Sequence, residues 1–181
     1  MKTTIAFFLT AFLLTASPDG RVHAASGKQS PNVVFFLVDD LGWTDVGSFG
    51  SRFYETPHID QFATKGVKFT SAYAACHVCS PTRSSILTGK YPARNRMTDW
   101  ISGRLDYPFQ KYLNVRTGQE LPYKEETIAE TLRGHGYKSA AVGKWHLGIN
   151  NDPWGTQNGH FLPTNQGFDS YYGMPVTNVQ P

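Results

Sequence analysis

Cys79 is followed two residues on by Pro81 and four on by Arg83, and Cys76 precedes it in a Cys-x-x-Cys arrangement. A proline in a first helical turn and a guanidinium one turn further place the thiol at a helix start, where backbone N–H groups and positive charge favour an anion. Taken alone, the two cysteines fit a buried pair, a disulfide or a redox couple equally well. Asp39-Asp40 ends an apolar run and offers two hard carboxylates, suited to Ca²⁺ and to holding an oxygen nucleophile beside it. Adjacent strand residues point to opposite faces, so both reach one ion only if the backbone turns near Asp39. An isolated pair of this kind is also an ordinary solvated turn. The third group, Lys144-Trp145-His146, combines a cation for an anionic oxygen with an imidazole that titrates near neutrality and can move a proton. Alone it reads as a surface lysine beside a packed histidine.

These side chains need elements that hold them. The continuous apolar run 33–38 has the pattern of a strand buried on both faces, and it stops at Asp39. Thr56-Pro57 predicts a helix start, with Ile59, Phe62 and Ala63 at helical spacing and Gly66 as the stop. Residues 67–73 alternate as a second strand, 80–87 and 125–133 carry helical patterns, and 137–142 reads as a third strand ending at Gly143. Strands alternating with helices predict an α/β fold, a mostly parallel sheet flanked by helices on both faces, with ligand sites beyond the carboxyl ends of the strands. Asp39-Asp40 and Lys144-Trp145-His146 both fall at such ends.

The whole chain has 181 residues, 17% of them charged and 40% hydrophobic, with a net charge of +3. That composition excludes a disordered tail and a coiled coil, and the charge is too dispersed for a nucleic-acid binder. A mean hydropathy of −0.37 excludes a multi-span membrane protein. Lys2, the apolar run 5–14 and the small residues Ala24-Ala25 predict a secretory signal peptide over 1–24, hence export to the periplasm or the medium. The run is shorter than the ~20 residues that span a bilayer, so no stable membrane span is expected. Residues 25–181 then form the mature part.

Cys79-x-Pro81-x-Arg83 with the trailing Leu87-Thr88-Gly89 resembles the signature of the type I sulfatases, in the alkaline phosphatase superfamily. Gly143-Lys144-Trp145-His146-Leu147-Gly148 resembles the second signature of that family. The resemblance runs from Pro31 to Asp169 and implies the N-terminal part of an alkaline phosphatase-like catalytic domain. It implies that Cys79 is oxidised by a formylglycine-generating maturation enzyme, and that one oxygen of the hydrated aldehyde attacks sulfur while the other hydroxyl later expels sulfate. It carries over Arg83 to orient that diol, Lys144 to bind sulfate oxygen and His146 to take the proton. Asp39, Asp40 and the group derived from Cys79 become ligands of Ca²⁺, or of Mg²⁺ in its place. These three residues leave a shell of six to eight oxygens incomplete, and the Asp-Asn pair, histidine and lysine that the family adds are absent from the chain.

The implied substrate is a sulfated carbohydrate or an aryl sulfate. A phosphonate or phosphodiester hydrolase of the same superfamily and an exported Cys-x-x-Cys thiol-disulfide protein are the rival readings. The segment 94–116 interleaves arginines with Trp100, Tyr107, Phe109 and Tyr112, which suits either an anionic sugar or a plain solvated loop. Gly89-Lys90 lacks the rest of a phosphate-binding loop.

Overall fold

The computed structural model describes residues 30–148 and 162–173. The expected signal peptide and most of the Gly- and Pro-rich stretch after Asn150 lie outside the described residues. The chain divides into two compact units, residues 1–37 and 38–181. In the first, residues 30–37 are exposed and in no sheet.

The second unit contains helices α1 (Pro57–Lys65), α2 (Cys79–Thr88), α3 (Pro92–Asn95) and α4 (Ile128–Gly134), with strands β1 (Ala140–Val142) and β2 (Ser170–Tyr172). The strands pair in parallel, Ala141 opposite Tyr171. The parallel sense agrees with the sequence reading, but among the described residues the sheet has two strands, with Val142 and Tyr172 exposed. The apolar run before Asp39 is a correction: Phe36 is 86% exposed and Val34 76%. A strand exists only where a neighbour takes its backbone groups, and no described segment pairs with this run. Residues 67–73 likewise form no strand.

Local signals set the helix limits. Pro57 starts α1 and Gly66 ends it, although the Thr56 hydroxyl, instead of capping, accepts from Gly47 N (2.8 Å) and donates to Asp60 (3.1 Å). Helix α4 begins three residues later than the periodicity predicts because Thr127-x-x-Glu130 forms a capping box. The Thr127 hydroxyl accepts from Glu130 N at 3.3 Å, and the Glu130 carboxylate accepts from Thr127 N at 2.7 Å. Gly89 ends α2 at φ 65, a left-handed position that glycine adopts without a Cβ clash.

Met97, Ile101, Leu121, Trp145 and Leu147 form the core, with Leu87, Phe168 and Tyr171 packed against it. Trp145 meets Phe168 edge to face at 6.0 Å. The buried face of α2 is polar instead: Ser80 and Ser84 lie on it at helical spacing, both fully buried. Asn95 donates to the hydroxyls of Ser84 (2.7 Å) and Thr88 (2.8 Å), so this stripe is held by hydrogen bonds.

Candidate functional site

Three segments of the second unit converge. Helix α2 opens at Cys79, and Arg83 follows one turn on, so both side chains leave the same face. Pro81 is tolerated because the first turn has no intrahelical acceptor for its missing N–H. The segment after β1 carries Lys144 and His146 between Gly143, at φ 99, and Leu147. Trp145 and Leu147 are both buried in the core, and His146 between them is buried as well and adopts φ 56. Asp39 comes from the turn at the end of the apolar run.

The Cys79 sulfur lies 3.2 Å from His146 Nδ1, and His146 Nε2 lies 2.8 Å from the Ile101 carbonyl. A carbonyl only accepts, so Nε2 carries the proton and Nδ1 is the acceptor that faces the thiol. Arg83 donates from Nη1 to the Lys144 carbonyl (2.6 Å) and pairs through Nη2 with Asp39 (3.3 Å). Lys144 closes the ring by pairing with the other Asp39 oxygen. Two cations around one carboxylate leave a net positive centre, which suits an anionic ligand. The buried Arg83 Nε has no hydrogen-bond partner among the described residues.

Burial raises the Asp39 pKa, but the Lys144 hydrogen bond and the charges of Arg83 and Lys144 outweigh it, and the carboxyl ends below its ordinary value. His146 is also held below its ordinary value. Burial is the largest cause, and the two cations add to it against the opposing pull of the Ile101 carbonyl and Asp39. The imidazole is therefore neutral near pH 7, the form that accepts a proton.

Cys79, Arg83, Lys144, His146 and Asp39 thus come together as a connected group. Asp40 does not join it: the residue is exposed at φ 55, and none of the hydrogen bonds or ion pairs among the described residues involves its side chain. The donor type of both aspartates suits a hard cation. Asp39 nevertheless spends both oxygens on Arg83 and Lys144, and among the described residues no three His, Cys, Asp or Glu side chains cluster as a metal site. The aspartates fit as part of a coordination shell, not as a whole one.

Both cysteines are free, so the Cys76–Cys79 pair is not a disulfide here. In the segment 94–116 Arg104 pairs with Asp99 (3.0 Å) and Arg116 with Asp106 (3.4 Å), so these arginines meet carboxylates of their own loop. Lys90 pairs with Glu125, an anchor and not a phosphate contact. Sequence reading missed Ile101 and Ser80. The Ile101 contribution is a backbone carbonyl, which no residue type announces, and Ser80 was marked only by standing next to Cys79.

The family profile described as Sulfatase matches residues 31–180. Mouse (Mus musculus) steryl-sulfatase is 37% identical over 180 residues, covering 99% of this chain and 27% of that protein. A solved structure described for glycosaminoglycan metabolism by Bacteroides thetaiotaomicron superposes with a TM-score of 0.65 at 33% identity, covering 83% of this chain and 29% of the other. Another, Ps i-CgsB in complex with a neocarrahexaose, gives a TM-score of 0.59 at 32% identity, covering 75% and 26%. The chain spans about a quarter of the length of these relatives. The extent of the profile match, the identity over nearly the whole chain and the gathering of both signature segments around Cys79 agree: the chain belongs to the sulfatase family.

Proposed function

We propose that this chain carries the nucleophile end of a sulfuric ester hydrolase whose attacking group is made from Cys79. The observation that carries the reading is the 3.2 Å approach of Cys79 to His146 Nδ1 beside Arg83 and Lys144. A base, a nucleophile position and two cations in one place match what ester hydrolysis at an anionic centre requires.

His146 is poised to take a proton from position 79, because its other ring nitrogen is already committed to Ile101. Lys144 supplies charge for a sulfate oxygen, and Arg83 holds the segment that bears Lys144 through its carbonyl. A formylglycine at position 79 supplies, as its hydrate, an oxygen nucleophile and a second hydroxyl. Asp39 and Asp40 would supply two carboxylates to a Ca²⁺ ion, whose charge offsets that of the ester. The implied partners are the maturation enzyme and a sulfated carbohydrate or aryl sulfate. A neighbour solved with a neocarrahexaose supports the carbohydrate class. Export follows from the segment 1–24, and no described helix is long and apolar enough to cross a membrane.

The test is the mass of the tryptic peptide 69–83 from protein made in its native host, followed by turnover of matched sulfate and phosphate esters. In the full-length, matured enzyme an aldehyde at Cys79, sulfate release and loss of turnover in Cys79→Ala are expected, whereas the 181-residue chain by itself, with its site incomplete, is expected to be inactive. Normal turnover in Cys79→Ala overturns the reading, and faster cleavage of the phosphate ester replaces sulfur with phosphorus as the target.

A further inference from the structure

Ser80 follows Cys79 in the first turn of α2 and is fully buried, with no place in the chemistry described above. Its hydroxyl accepts from the backbone N–H of Ile101 at 3.1 Å. The Ile101 carbonyl in turn accepts from His146 Nε2 at 2.8 Å, and His146 Nδ1 faces the Cys79 sulfur at 3.2 Å. Cys79 and Ser80 are covalent neighbours, so the chain of contacts closes into a ring: nucleophile position, serine hydroxyl, Ile101 backbone, imidazole, nucleophile position.

We propose that Ser80 is a positioning residue that sets the orientation of the His146 ring through Ile101. This role rests on the function proposed above and involves a residue outside the reacting groups. Ser80 holds the peptide on the N-terminal side of Ile101, and the Ile101 side chain is 3% exposed among Met97, Leu121, Trp145 and Leu147. With the preceding peptide and the side chain both held, the carbonyl that meets His146 has one main torsion left. A second anchor lies outside the site. The Thr117 hydroxyl accepts from Thr98 N (3.1 Å) and Asp99 N (3.2 Å) and donates to the Asp99 carbonyl (3.1 Å), which holds the start of the same segment.

The consequence is directional. An imidazole that donates from Nε2 offers Nδ1 as acceptor to position 79, and the opposite tautomer presents a proton to the group it should deprotonate. An alanine at 80 removes the hydroxyl and frees the segment to rotate. A displacement of about 1 Å at a catalytic group costs up to about 100-fold in rate.

The experiment compares the full-length, matured enzyme with its Ser80→Ala, Ser80→Thr and Thr117→Val variants. It records kcat and KM on an aryl sulfate and the ¹⁵N signals of the His146 ring. Ser80→Ala is expected to lower kcat by about tenfold or more, with KM changed less than about twofold, and to populate the tautomer protonated at Nδ1. Ser80→Thr, which keeps the hydroxyl, restores both. Thr117→Val loosens the segment from outside the buried stripe and produces a smaller shift in the same direction, which keeps the test usable if Ser80→Ala fails to fold. Unchanged kcat and ring signals in Ser80→Ala overturn the proposal, as does a fall in kcat with the ring signals unmoved. If those results come while Cys79→Ala and His146→Ala are inactive, the positioning role alone falls. Full activity in Cys79→Ala removes the functional reading beneath it.

Discussion

Arg83→Lys keeps the charge and removes the fork. The guanidinium reaches two acceptors from two nitrogens, the Lys144 carbonyl at 2.6 Å and Asp39 at 3.3 Å. A lysine has one nitrogen on a flexible stem and satisfies one of them well. The Asp39 side chain is 33% exposed and keeps its own pairing with Lys144, so the ionic part of the loss is screened and small. The lost hydrogen bond from a charged group to the Lys144 carbonyl dominates, at roughly 1.5–3 kcal/mol. The wild-type Nε is already buried without a hydrogen-bond partner among the described residues, a cost that the lysine removes. With relief of the unpaired Nε taken at its lower bound of about 1 kcal/mol, the expected net loss is about 1 kcal/mol, about fivefold in the folding constant. With a urea slope of about 2 kcal/mol/M, the midpoint falls by about 0.5 M. Urea unfolding followed by tryptophan fluorescence measures it, and the order wild type, then Arg83→Lys, then Arg83→Ala is expected. A lysine variant as stable as the wild type refutes the reasoning, because the two-pronged geometry would then contribute nothing.

Thr127→Val removes the capping hydroxyl of α4 and its 2.7 Å bond to the Gln166 carbonyl at a fully buried position, so a loss of about 1–2 kcal/mol in the same urea assay is expected. His146 has a folded-state pKa below its ordinary 6.5, so the unfolded chain binds the extra proton first as pH falls. The stabilisation it contributes is complete above that value and is lost as pH drops towards the folded-state pKa. Between about pH 7.5 and about pH 5.5 the wild type should lose more stability than His146→Gln, and equal slopes would contradict the burial argument. Asp39→Asn and Asp40→Asn should each weaken Ca²⁺ binding, read by calorimetry, by about tenfold or more. An unchanged affinity for either removes that residue from the shell.

The sequence already contained the chemistry and most of the local limits. Pro57 and Gly66 bound α1 where they stand, Gly89 closes α2, and the order Asp39, Cys79, Lys144, His146 carried the family resemblance. These signals are legible because each acts on its own backbone or names a reactive group. The capping box at Thr127 is equally local, and it starts α4 at Ile128 although the helical periodicity extends back to Glu125.

The strands read poorly. Apolar content predicted residues 33–38 as a strand, yet a strand is a relation between two segments, and only 140–142 found a described partner, in 170–172. The site divides in the same way. Residue type named Cys79, Arg83, Lys144 and His146 as participants, since thiol, guanidinium, ammonium and imidazole each bring a fixed chemistry. Which imidazole nitrogen faces the thiol was decided by the Ile101 carbonyl, and which cations hold Asp39 by the meeting of α2 with the segment after β1. Directional hydrogen bonds between residues as far apart as 105 positions depend on where the packed core places each backbone, and no spacing along the chain encodes that distance.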